Sequence, residues 1–119
     1  MAGAGVSVPD AGDVLWIDFG PPLGREQAGR RPAVVLTTRE YNERSSVLIV
    51  CPISRRQREW PSIVALPAVG LLQGYILVDQ IKVIDPTVRA HRKAGRVPLE
   101  TLAEVRGKLA ALLGIPVSN

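Results

Sequence analysis

The stretch GDVLWIDFGPPLGREQAGRRPAVVL, residues 12–36, decides the reading of this chain. Residues 13–19 (DVLWIDF) mix apolar, aromatic and acidic side chains in a run that reads as a strand, halted by the turn residues Gly20-Pro21-Pro22. Residues 20–31 hold three glycines and two prolines and show no periodicity. A structureless connection of that length is long for a compact domain, which makes it a place to expect function. PAVVLTT (32–38) then runs as continuous apolar sequence, as a buried strand does. The unit is strand, long loop, strand.

Outward from this unit, residues 38–45 (TREYNERS) predict one or two helical turns with Thr38 or a neighbour as the cap. SVLIVCPIS (46–54) is another buried strand, and Pro52 within it predicts a bulge or a sheet edge. A basic connection, 55–61, leads to SIVALP (62–67). GYILVDQ (74–80) and IKVID (81–85) follow as two short strands or one bent strand. Residues 86–97 carry four positive charges and no acid. From Pro98 to Leu113 the pattern turns helical: Leu102, Val105, Leu109 and Leu112 make one apolar stripe. Gly114 supplies the C-terminal cap and Pro116 blocks continuation, while Gly107 weakens the helix by roughly 1 kcal/mol relative to Ala. The expected fold is mainly β, a small barrel with a short helix between strands and a C-terminal helix.

With 119 residues, 46% of them hydrophobic and 22% charged, the chain is one globular domain and neither a disordered tail nor a coiled coil. The domain is expected over 12–115, between tails at 1–11 and 116–119. No apolar run approaches the roughly 20 residues of a membrane span, and Met1 to Asp10 lacks a basic start followed by a hydrophobic segment. A soluble, unexported, cytoplasmic protein with no membrane partner is the expectation. A single cysteine (Cys51) and a single histidine (His91) cannot build a thiolate–imidazole zinc site or an internal disulfide. Asp13 and Asp18, five apart on a strand, fall on opposite faces and make a poor metal pair. No metal or other cofactor is expected.

The formal charge is +4, and twelve of the fifteen bases are arginines. They are grouped: Arg25, Arg30 and Arg31; Arg55, Arg56 and Arg58; Arg89, Arg92 and Arg96 with Lys93. Composition alone leaves two readings open, a solvated surface favoured by coding bias or a surface that grips a polyanion.

The element Glu26-Gln27-Ala28-Gly29-Arg30-Arg31-Pro32 inside residues 12–36 resembles the opening of the MazF/PemK (Kid) family of toxin endoribonucleases, whose pattern is E-Q-x-G-x-R-P between two strands. Similarity continues in VLIVCPIS (47–54), in VDQIKVID (78–85) and in the helix after Val97-Pro98. The resemblance implies an SH3-like barrel with a terminal helix, usually a homodimer. It also implies metal-independent, sequence-selective cleavage of single-stranded RNA, and neutralisation by an antitoxin whose acidic, flexible tail covers the active surface.

RNA carries its own nucleophile, the 2′-hydroxyl beside each phosphate, so an enzyme need only align it and stabilise the charge on a five-coordinate phosphorus. DNA lacks that group. Arg31 matches the position that carries catalysis in the family, and a guanidinium can hold two phosphoryl oxygens at once. Ser54 falls where the family commonly has Thr; it keeps the hydroxyl and loses the methyl that restricts its rotamer. Glu26 is the carboxylate of the loop, placed to take the 2′-hydroxyl proton, to orient Arg31 or to read a base. Substrate contacts are expected from Arg25 and Gln27 in the loop, from Arg55 and Arg56 by their nearness to Ser54, and from Asp79 and Gln80, which match a family D/E-Q pair. Phe19, beside the loop, is the expected stacking residue; Trp16 and Tyr75 are expected in the core. Cys51 reads as a core residue and His91 as a surface one. Two other classes stay open. One is a gyrase-poisoning toxin on the same barrel, disfavoured because residues 113–119 hold no aromatic; the other is a family member that binds RNA or antitoxin without cutting.

Overall fold

In the computed structural model, the structure describes residues 8–21, 24, 29–56, 62–89 and 91–116. β1 (Asp13–Asp18) and β2 (Arg30–Val35) form an antiparallel hairpin in which Val14 pairs with Val34 and Ile17 with Arg31. Period-two alternation sends Val14 and Val34 to one face, with Cys51 and Ile53 of β3 (Leu48–Ser54), against Leu102 and Val105 of α2 (Leu99–Leu113). Leu15, Ile17, Ala33, Val35 and Val50 occupy the other face with Phe19, Leu48 and Ile84. Both faces are buried, which is why 32–36 reads as unbroken apolar sequence. Cys51 is fully buried, and desolvation, first, with Asp79 second, pushes its thiol up to about 12, so it stays a neutral core residue.

β3 is the hub of the sheet. It pairs with β2 along one side; along the other it pairs first with β6 (Lys82–Ile84), through Leu48 to Val50, and then with β5 (Tyr75–Leu77), through Ile53 and Ser54. The Leu36 N–H donates to Ile49 O at 2.8 Å, so residues 49, 51 and 53 turn their backbone groups toward β2 and Pro52 turns away from it. Pro52 thus sits where β3 exchanges β6 for β5, and its missing N–H faces that gap. The sequence reading of a bulge or an edge becomes a change of partner.

The seven strands run in the order β4-β5-β3-β2-β1-β7, with β4 at Ile63–Ala65, and β6 branches from β3. The expected mainly β fold with two helices is present, although the ladder stays open at β4 and β7 and does not close into a ring. β5 and β6 are two short strands joined by a 3-10 turn over Val78–Gln80. α1 (Arg39–Ser45) carries the expected cap, with the Tyr41 N–H donating to Thr38 Oγ1 at 3.3 Å. α2 ends as predicted at Gly114 (φ +71°), where the Ile115 N–H donates to Ala110 O at 2.8 Å. Its stripe is buried only at its start, and Leu112 is half in solvent. No helix among the described residues is long and apolar enough to cross a membrane.

One strand goes beyond the sequence reading. β7 (His91–Arg96) lay hidden in the basic segment, because an edge strand that covers β1 with one side only needs little apolar sequence. Residues 8–11, just ahead of β1, make contacts with the domain. Asp10 Oδ1 accepts the Arg39 N–H at 3.0 Å, Pro9 O accepts Asn42 Nδ2 at 2.8 Å, and Ala11 is buried. The Arg39 N–H holds the Asp10 carboxyl below its usual range.

Candidate active site

The long loop leaves the β1–β2 hairpin through a closed root: the Phe19 N–H donates to Gly29 O at 3.0 Å and the Gly29 N–H to Gly20 O at 2.8 Å. Arg30-Arg31-Pro32 opens β2 directly above this root, with Arg31 half-buried opposite Ile17. β2 and β3 pair Val35 with Val50 and Ala33 with Pro52, where their observed pairing ends; extending that register by two residues brings Arg31 level with Ser54. Directly opposed residues share a face, so the guanidinium and the hydroxyl stand on one side of the sheet, at its loop end.

Both line one cavity of about 510 Å³, whose rim carries Arg30, Arg55 and Arg56 and whose wall includes Trp16 and Gln73. Four arginines and no carboxylate stand among its described lining residues. Ser54 is 6% exposed. Its Oγ accepts the Arg56 N–H at 3.2 Å, which uses an oxygen lone pair and leaves the hydroxyl proton to be donated. This bond to nearby backbone is therefore compatible with a hydroxyl that donates to a phosphoryl oxygen. Asp13, the buried carboxylate of β1, lies at the strand's far end and is neutralised by Arg96 Nη1 at 2.7 Å and Lys93 Nζ at 3.5 Å. Among the described residues, no three His, Cys, Asp or Glu side chains gather where a metal ion would be held.

The structure brings Arg31, Ser54, Arg55 and Arg56 together and places the other expected contacts elsewhere. Asp79 and Gln80 line a separate cleft of about 400 Å³ with Lys82 and Arg89. Phe19 forms part of that cleft's floor, but at 6% exposure it is a core residue beneath the Lys82 ammonium, 5.9 Å from the ring centre. So little of the ring is exposed that only a small part of it meets the cleft. Arg25, Glu26 and Gln27 lie outside the described residues. His91 is half-buried on β7 opposite Ile17.

The aromatics expected in the core are the ones that reach the site. Trp16 is half-buried in the main cavity; Tyr75 is half-buried in an adjoining one of about 320 Å³ that shares Arg55 and Gln73 with it. The signal for Trp16 was its even position beside Val14 at the loop end of β1, past the cover of α2. Gln73, a lone polar residue in LLQGY, was missed for want of any periodic pattern around it.

Similarity to known proteins runs through the same residues. The family model for the PemK-like, MazF-like toxin of type II toxin–antitoxin systems matches residues 10–113. The endoribonuclease toxin MazF of Escherichia coli is 38% identical over 107 residues, covering 90% of this chain and 96% of its own. A crystal structure of MazF from Deinococcus radiodurans superposes with a TM-score of 0.86 at 41% identity, over 92% of this chain and all of the other. The MazE–MazF complex from the same organism gives 0.81 at 39% identity, over 92% of this chain and 99% of the other. The matched span contains the long loop, both opposed residues of the cavity and α2, and the chain belongs to the PemK/MazF family of toxins of type II toxin–antitoxin systems.

Proposed function

We propose that this protein is an endoribonuclease toxin that cuts single-stranded RNA at chosen sequences by attack of the ribose 2′-hydroxyl on the adjacent phosphate. The observation that carries the reading is that Arg31 and Ser54 line one cavity together with Arg30, Arg55 and Arg56. The 2′-oxygen forms a bond to phosphorus, the bond to the 5′-oxygen of the next nucleotide breaks, and a 2′,3′-cyclic phosphate and a 5′-hydroxyl result. Arg31 holds the two non-bridging oxygens, and its attraction strengthens as their charge grows toward the transition state. Ser54 donates a hydrogen bond from its hydroxyl to one of them, while the 2′-hydroxyl gives up its proton and the departing 5′-oxygen takes one up. Arg55, Arg56 and Arg30 neutralise flanking phosphates, a grip that position-blind contacts supply and salt weakens.

Glu26, in the loop leading to Arg31, is assigned to orienting that guanidinium or reading a base, with Arg25 and Gln27 beside it as further RNA contacts. Loss of all cleavage in Glu26→Gln with RNA affinity unchanged would identify it instead as the base that takes the 2′-proton. Asp79 and Gln80, in their own cleft, meet RNA away from the scissile linkage. The same arginine rim suits the acidic, flexible tail of an antitoxin, which blocks the cavity by occupying it, and the active form is a homodimer.

No carboxylate set for a metal lines the described part of the cavity, and the chemistry above needs none. Incubating the purified protein with a long unstructured RNA in chelator, and mapping the ends, tests the whole reading. Discrete fragments with 5′-hydroxyl and cyclic phosphate ends, and no cutting of the matching DNA, are expected. Intact RNA, or cleavage that needs added magnesium, overturns it.

A further inference from the structure

The row that joins Arg31 to Ser54 does not stop there. Ser54 pairs with Tyr75 of β5, and Tyr75 pairs with Ala65 of β4. Opposed residues share a face and neighbouring strands lie about 4.8 Å apart, so Tyr75 stands one strand from the hydroxyl and two from the guanidinium, on their side of the sheet. The half-buried ring borders the cavity of about 320 Å³, whose other walls are Leu66, Gly74, Gln73 and Arg55.

Two features make this an extension of the main cavity. Arg55 and Gln73 line both. Gly74, at φ +147°, lies so close to the end of β3 that a Cβ there would come within 2.5 Å of Ser54 O. The same Gly74 gives its carbonyl to the Leu66 N–H at 3.0 Å. The turn that bears Gln73 and Tyr75 is thereby fixed against Ser54, and the smaller cavity keeps a constant offset from the reacting one.

We propose that the smaller cavity is a nucleobase subsite for the nucleotide next to the scissile phosphate, with Tyr75 as its stacking platform and Gln73 as the residue that reads the base edge. The inference rests on the RNA-cutting reading above. Arg55, lining both cavities, holds the flanking phosphate of that nucleotide. An aromatic face takes any base, since every base has a π-surface; a Gln amide offers one acceptor and two donors, and so discriminates. Tyr75 serves affinity and Gln73 serves choice.

The test uses full-length protein and a fluorescein-labelled RNA spanning a mapped cut site, with a 2′-deoxy nucleotide at the attacking position so that binding is read without cleavage. An abasic nucleotide beside the scissile phosphate is expected to weaken wild-type binding about tenfold, as loss of one stacked base does. Tyr75→Leu weakens binding of the intact RNA by a similar factor, and the abasic RNA binds wild type and Tyr75→Leu alike. Tyr75→Phe restores the affinity, which a merely structural role for the hydroxyl would not. Gln73→Ala evens out cleavage among the four bases at that nucleotide and leaves the other positions of the cut motif unchanged. Thermal melting confirms that each variant folds, and Tyr41→Ala, on α1 at the opposite end of β2 and β3, is the neutral control. Losses that add in the abasic pairing, or undiminished binding by Tyr75→Leu in a protein that cuts RNA, overturn the subsite alone. A wild-type protein that neither cuts nor binds RNA overturns the subsite and the reading beneath it together.

Discussion

Arg31→Ala is expected to slow RNA cleavage by about a hundredfold to a thousandfold, the usual cost of removing one aimed donor from a developing anion. The fold should tolerate the change, because Arg31 is half-buried at the mouth of β2 and Ala33, Val34 and Val35 do the packing. RNA affinity should fall less than about tenfold, since Arg30, Arg55 and Arg56 still rim the cavity. The loss therefore belongs to the chemical step, and single-turnover rates set beside anisotropy binding curves will show it there. Arg31→Lys keeps the charge and loses the two-pronged grip, so its rate should lie between the two. Cleavage by Arg31→Ala at the wild-type rate would remove the residue from the mechanism.

Gly74→Ala is expected to destabilise the protein by about 2–4 kcal/mol and to lower its melting temperature by about 10 °C or more. Two costs combine. At φ +147° a side chain is strained whatever the space around it, and this Cβ would press on backbone, the Ser54 carbonyl, which cannot swing aside as a flexible side-chain end does. Gly70 provides the comparison: its φ is +56° and nothing lies within 4 Å of where a methyl would stand, so Gly70→Ala should bear only the conformational cost, roughly 1 kcal/mol. Because the displaced atom belongs to Ser54, Gly74→Ala should also lose cleavage at temperatures where it remains folded. Differential scanning calorimetry and cleavage assays at low temperature separate the two effects; equal melting temperatures for the two variants would refute the close-contact account.

Much of this architecture was legible where apolar periodicity, a cap or a turn residue marked it. Residues 13–18, the cap at Thr38, the strand through Ser54, and the helix ending at Gly114 all appear where the residues pointed. β7 did not, because His91-Arg92-Lys93-Ala94-Gly95-Arg96 is stabilised by backbone pairing to β1 and by Arg96 on Asp13, neither of which leaves an apolar signature. For the site, the E-Q-x-G-x-R-P element singled out Arg31, and the fold brings it to the same cavity as Ser54. The burial of the aromatics follows their strand parity. Phe19 sits on the same parity as Leu15 and Ile17 and follows them into the second core, whereas Tyr75 alternates with buried Ile76 and faces the cavity side. A three-residue strand is too short for sequence alone to show which parity faces inward.

The pairing of β1 with β7 governs what happens while the chain is being made. Among the described strands β1 leaves the ribosome first, yet its outer neighbour comes only with residues 91–96, after the other described strands have appeared. Until then one flank of β1 offers unpaired N–H and C=O groups, a template for any extended segment nearby. When β7 arrives it seals that flank and leaves a new border that carries Arg92, with Lys93 and Arg96 held on Asp13, a net positive edge that disfavours a second copy of itself. The finished sheet is thus protected against edge-to-edge growth in a way that the half-synthesised one is not.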